Sequence, residues 1–149
     1  MTRTLNTRTL NRTLLHRQHL LARADMPFTD MIAHLVGVQG QVNNPPYIGL
    51  WSRLHGMSRA ALTDALRDRA VVRAPAWRST LHLLTAADYL AFRRALEPAL
   101  IRGLNSFFGA RARAPATPAV VDYARQVYAE APRTQAEIRA LLLEAFPKN

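Results

Sequence analysis

A chain of 149 residues with 20 basic and 10 acidic side chains carries a formal net charge of +10, which points to a polyanionic partner, with DNA or RNA first and anionic lipid second. Hydrophobic residues make up 49%, enough to bury a core and too many for a disordered composition. The absence of cysteine excludes disulfides and thiolate metal sites, and no apolar run approaches the length of a membrane span.

Residues 1–8 are polar and basic and are expected to fray. From Thr9 to Ala24 the leucines at 10, 14, 15 and 21 share a helical face, with Arg8, Arg12 and Arg23 elsewhere. His16 and His19 have a spacing that can hold a metal, but without a further ligand they read as surface histidines, so no metal site is expected. Pro27 breaks the pattern. Thr29 is placed to cap a second helix, over Asp30 to Val38, whose core face is Ile32, Leu35, Val36 and Val38.

The stretch Leu35-Val36-Gly37-Val38-Gln39-Gly40-Gln41-Val42-Asn43-Asn44-Pro45-Pro46 holds two glycines and two prolines and reads as backbone constrained for shape. On extended chain Gln39 and Gln41 point the same way. Such a pair of neutral amides either satisfies the loop's own backbone, the ordinary role, or holds a water or polar ligand. A third helix is predicted from Pro46 to His55, with Tyr47, Leu50, Trp51 and Leu54 as a core stripe. A fourth, Arg59 to Arg69, is capped by Ser58 and sets Leu62, Ala65 and Leu66 inward, with Arg59, Thr63 and Arg67 on another face.

The periodicity then changes. Val71-Val72-Arg73 and Ser79 to Leu84 read as strands of a β-hairpin, with Arg73 and Arg78 near its tip. Two close helices followed by a hairpin are the parts of a winged helix, in which the second helix enters the major groove and the wing meets the backbone. Thr85 to Asp88 resembles a capping box opening a long helix to Leu104. Gly109 to Pro118 reads as a loop, Thr117-Pro118 caps a helix to Glu130, and Thr134-Gln135-Ala136-Glu137 is a second capping box. The fold class is therefore mainly α with a small β-hairpin. A winged helix-turn-helix domain, with its first helix and linking helix, is expected over 1–104. The start of a second winged-helix domain is expected over 105–149.

Four blocks in order carry a resemblance: Asn11-Arg12-Thr13-Leu14-Leu15-His16-Arg17-Gln18, the run from Leu35 to Gln41, Pro45 to Leu54, and Arg78-Ser79-Thr80-Leu81-His82-Leu83-Leu84. Together they resemble the AlkZ-like winged-helix DNA glycosylases over nearly the whole chain. That family is built from tandem winged helices with a β-barrel portion, and its better-known members excise alkylated purines and unhook interstrand crosslinks. Its Gln-x-Gln motif falls on Gln39-Gly40-Gln41, with glycine where the family usually has a larger residue. The resemblance implies base excision on double-stranded DNA, alkylated or crosslinked, by a monomer without cofactor in the bacterial cytoplasm at the nucleoid. Family members are much longer, so the chain is expected to be truncated, a fragment, or one part of a split protein.

Two glutamines cannot act as a general base, but an N7-alkylated purine is already cationic and leaves as a neutral base. What remains is to hold water beneath the sugar and stabilise an oxocarbenium-like centre, which oriented amide oxygens can do. Gln39 and Gln41 are the expected catalytic pair. Arg59, Arg67, Arg73 and Arg78 are candidate phosphate contacts, though a surface arginine is ordinarily a solvated one. His82 is read as a packed histidine or a DNA contact, and Trp77 as a hairpin anchor or a stacking residue at the wing. The competing functions are a winged-helix DNA-binding module without catalysis and an inactive fragment.

Overall fold

A computed structural model describes residues 4–109 and 118–147. The chain divides into two compact units, Met1–Ser106 and Phe107–Asn149. The predicted loop over 109–118, with the Thr117 cap, falls almost wholly outside the described residues.

In the first unit the order is α1 (Thr7–Arg17), α2 (Phe28–His34), β1 (Val38–Gln39), α3 (Pro45–Trp51), α4 (Arg59–Arg67), β2 (Val71–Pro75), β3 (Leu81–Thr85) and α5 (Ala86–Phe108). The sheet is antiparallel with β3 in the centre, flanked by β1 and β2. From α2 to β3 this is the order of a winged helix, with α4 following α3 across a short turn and β2–β3 as the wing. The sequence shows only the hairpin. The third strand, β1, is two residues long and exists because β3 pairs with it.

Met31 and Ile32 of α2, Leu50 and Leu54 from α3 and its exit, Leu62 of α4, Val71 of β2 and Leu83 of β3 form one buried cluster. It contains the predicted Ile32, Leu50, Leu54 and Leu62, with two corrections: Val36, expected on the core face of the second helix, is 43% exposed, and the stripe of α3 is not wholly buried. Trp51 is 55% exposed and lies beneath Arg23, whose guanidinium sits 4.2 Å from the ring centroid, while Tyr47 is only half-buried. The leucine stripe of α1 is likewise exposed at Leu10, Leu14, Leu15 and Leu21, and α1 buries no residue.

Three helix starts hold as predicted. Ser58 accepts from the Ala61 amide, Thr85 from the Asp88 amide, and Thr134 and Glu137 complete a reciprocal capping box. Thr29 does not cap α2, whose N-cap is Pro27. The helix ends come earlier than periodicity suggests. α1 stops where the His19 amide donates to the His16 carbonyl and Leu20 to Leu15. α2 stops where Val36 donates to Ala33 and Gly37 to Ile32. Both are Schellman closures with a non-glycine residue in the left-handed position, His19 at φ 54° and Val36 at φ 55°.

The second unit is described over α6 (Pro118–Glu130) and α7 (Gln135–Ala145), two helices that pack through Tyr123 against Phe146, with ring centroids 5.6 Å apart.

Candidate active site at the end of the first strand

Gln39 closes β1 opposite His82, and paired residues of an antiparallel ladder send their side chains to the same face. It is exposed, and its amide has no hydrogen-bond partner among the described residues. Gly37, two residues before it, lies at φ 101° with the Leu83 carbonyl 3.2 Å from where a Cβ would stand, so the turn into β1 admits no side chain at that point.

The next rung is unusual. The Gly40 amide donates to the Leu81 carbonyl at 2.8 Å, but the Leu81 amide does not return the bond. It donates instead to Oε1 of Gln41 at 3.0 Å. The Gly40 carbonyl is turned to Nε of Arg73 at 2.7 Å, and the same guanidinium reaches the Gln41 carbonyl at 3.2 Å. The two glutamines are therefore unequal. Gln41 has its amide oxygen engaged in continuing the ladder, whereas Gln39 has neither of its amide groups bonded among the described residues.

A cleft of about 550 Å³ opens beside Gln39, and among the described residues no carboxylate lines it. Its polar wall is Arg17 and Gln18 at the end of α1, His34 at the end of α2, Gln39, and Arg53 just past α3. His34 ties two of these elements together. Its Nε2–H donates to the Arg17 carbonyl at 2.8 Å, and its ring meets His19 edge-on with centroids 4.9 Å apart.

Arg53 is fixed through its backbone, whose carbonyl accepts from Ala24 at 2.7 Å. Its side chain donates from Nη1 to the Gly49 carbonyl at 2.7 Å and from Nη2 to Oε1 of Gln18 at 3.2 Å. Its Nε is buried without a partner, and no acid pairs with it among the described residues. Burial pushes its guanidinium below the ordinary arginine value. Sequence reasoning did not single out Arg53 or Gln18. The available signal was an arginine directly beside Leu54 in an otherwise apolar stripe.

The other expected site residues are spread over the unit. Arg73 is not at the hairpin tip, because β2 extends through Pro75, and its guanidinium lies against the glutamine turn. Arg78 is at the tip, exposed, in the left-handed region at φ 55°. Trp77 donates its indole N–H to the Val36 carbonyl at 2.6 Å and packs on Phe92 with centroids 5.7 Å apart, which is an anchor's geometry. His82 is buried on β3, its Nδ1–H donating to the Thr80 carbonyl at 2.9 Å. On α4, Arg59 stands 5.4 Å from the Tyr47 ring centroid, and Arg67 pairs with Asp64 at 3.0 Å on the exposed surface. Among the described residues no group of three or more His, Cys, Asp or Glu is placed to hold a metal, and no helix is long and apolar enough to cross a membrane.

The chain is similar to the solved structure of Streptomyces sahachiroi DNA glycosylase AlkZ, with 26% identity and a TM-score of 0.48 over 76% of this chain. It spans 30% of the length of that structure. None of the curated proteins matches it. The model of the family described as DNA glycosylase AlkZ-like matches residues 32–149, most of the chain, from the core of α2 through α7, and the chain belongs to that family.

Proposed function

We propose that the chain carries the reacting end of a DNA repair glycosylase that hydrolyses the N-glycosidic bond of N7-alkylated purines in double-stranded DNA. The observation that supports this most is Gln39, an exposed amide without a hydrogen-bond partner among the described residues, lining a basic cleft in which none of the described residues places a carboxylate. In this reading water attacks C1′, the bond to N9 breaks with its electron pair going to the cationic purine, the base leaves neutral, and the proton that the added water sheds passes to bulk solvent. The Gln39 oxygen holds the water and faces the positive charge that grows on the sugar. Gln41, its oxygen given to Leu81, holds the turn in place and offers an N–H donor.

Because Gln39 is exposed rather than sunk in a closed pocket, this arrangement suits a lesion that stays near the helix, including a purine held in an interstrand crosslink. Arg59, Arg67 and Arg78 would meet the phosphates, α4 the major groove, and the protein would act as a monomer at the bacterial nucleoid. The α6–α7 pair would open a second winged-helix domain over 105–149. A second reading is a DNA-binding module without catalysis, which the net charge of +10 and the order of elements from α2 to β3 would serve equally.

Release of 7-methylguanine from methylated duplex DNA decides between them. The native chain is expected to release base, Gln39→Ala to release at least 100-fold less with DNA affinity kept (loss of one transition-state contact), and Gln41→Ala to lose both activity and some stability. Binding without release by the native chain would leave the module reading, and undiminished release by Gln39→Ala would remove the role given to that residue.

A further inference from the structure

Arg53 lines the cleft without an acidic partner among the described residues. It is half-buried, donates to neutral oxygens of Gly49, Ser52 and Gln18, and has a buried Nε without a partner among the described residues. A partly buried guanidinium held by neutral oxygens is favourably placed to take an anion. Arg17 and His34 line the same cleft, and among the described residues no acid does.

We infer that Arg53 is the receptor for one phosphodiester of the damaged strand, next to the nucleotide whose sugar faces Gln39. This rests on the excision reading for its ligand and goes beyond it in assigning the residue. The guanidinium is held from two sides, by the Gly49 carbonyl and the Gln18 side chain, so its fork is oriented before DNA arrives. The phosphate also answers an electrostatic problem of the site. An uncompensated arginine lining the same cleft as Gln39 would oppose a developing oxocarbenium ion, and a bound phosphate cancels that opposition. The strand's own backbone thereby becomes part of the charge balance of the reaction.

The test is binding of the full chain to a duplex bearing a tetrahydrofuran abasic analogue, across a salt series. Neutral methylphosphonates replace each flanking phosphate in turn. Arg53→Gln is expected to bind about tenfold more weakly and to lower the salt slope by about one. One flanking methylphosphonate should do the same to the native chain and add nothing to Arg53→Gln. Arg53→Lys should keep the slope and lose part of the affinity. Gln18→Ala, which removes an acceptor and leaves the charge, should keep the slope. If no flanking methylphosphonate weakens the native chain more than a distant one, the proposal is overturned, whether or not Arg53→Gln folds. Additive losses, an unchanged slope in folded Arg53→Gln, or no binding at low salt overturn it too. Inorganic phosphate at matched ionic strength is the control for a free-anion site. Stabilisation by it with harmless methylphosphonates would mean that the strand is not the ligand. Because the analogue cannot be hydrolysed, a chain that binds but releases no base would sink the excision reading and leave this result standing.

Discussion

Gly40 lies between the two glutamines with its amide on Leu81 and its carbonyl on Arg73. A Cβ there would meet the Leu83 side chain at 3.6 Å and the Leu83 amide nitrogen at 3.7 Å, both ordinary contacts, and its φ is not in the left-handed region. The freedom of glycine is therefore not used. Gly40→Ala is expected to keep the site and to gain about 0.5 kcal/mol, because the alanine chain has less entropy to lose on folding. The urea midpoint reads this directly, and a loss of more than 1 kcal/mol would mean that the turn needs a torsion alanine resists. The Gln-x-Gln spacing singles out Gln39 and Gln41 in the sequence as candidates. Their inequality was not legible there, because it is made by Leu81 and Arg73, which lie 40 and 32 residues from Gln41 in the chain. Arg53 escaped for a related reason: its missing counter-charge is a property of three elements brought together, and no local pattern encodes it.

At the scale of elements, what the sequence shows is what neighbours within one turn decide. The caps Ser58, Thr85 and Thr134 were readable because donor and acceptor are three residues apart. The ends of α1 and α2 were not, since His19 and Val36 occupy positions where glycine is the usual mark. β1 was missed because two residues have no periodicity of their own. The capping box of α7 gives a measurable consequence. Thr134→Ala is expected to cost about 1 kcal/mol of helix-end stability, seen as faster amide exchange in the first turn of α7. Hydrogen bonds from the Thr134 side chain and backbone hold the Glu137 carboxyl below the ordinary carboxylate range. The folded value is thus the depressed one. The stabilisation is complete above the ordinary carboxylate value and is lost as pH falls through the lower folded one. Acid titration should fray α7 in that window, and Glu137→Gln should remove the pH dependence of its first-turn amide shifts.

The net charge of +10 acts at the scale of the whole molecule, and it separates two kinds of arginine. Arg78 at the wing tip and Arg59 on α4 are exposed and available to solvent, so each replaced by Ala should reduce the salt slope of DNA binding by about one with little sequence dependence. Arg73 is committed to the carbonyls of Gly40 and Gln41, and its loss should be felt in the turn. A slope unchanged in Arg78→Ala would take the wing off the DNA. The wing is also attached to the site at two points: the Trp77 indole holds the carbonyl just before Gly37, and Arg73 holds the two carbonyls just after Gln39. The strand that presents the free amide is thus gripped on both sides by the hairpin. A hairpin pressed against a duplex cannot shift without carrying that strand along. In the function proposed above, the wing would then be a lever as well as a contact, and its docking would set the height of Gln39 above the sugar.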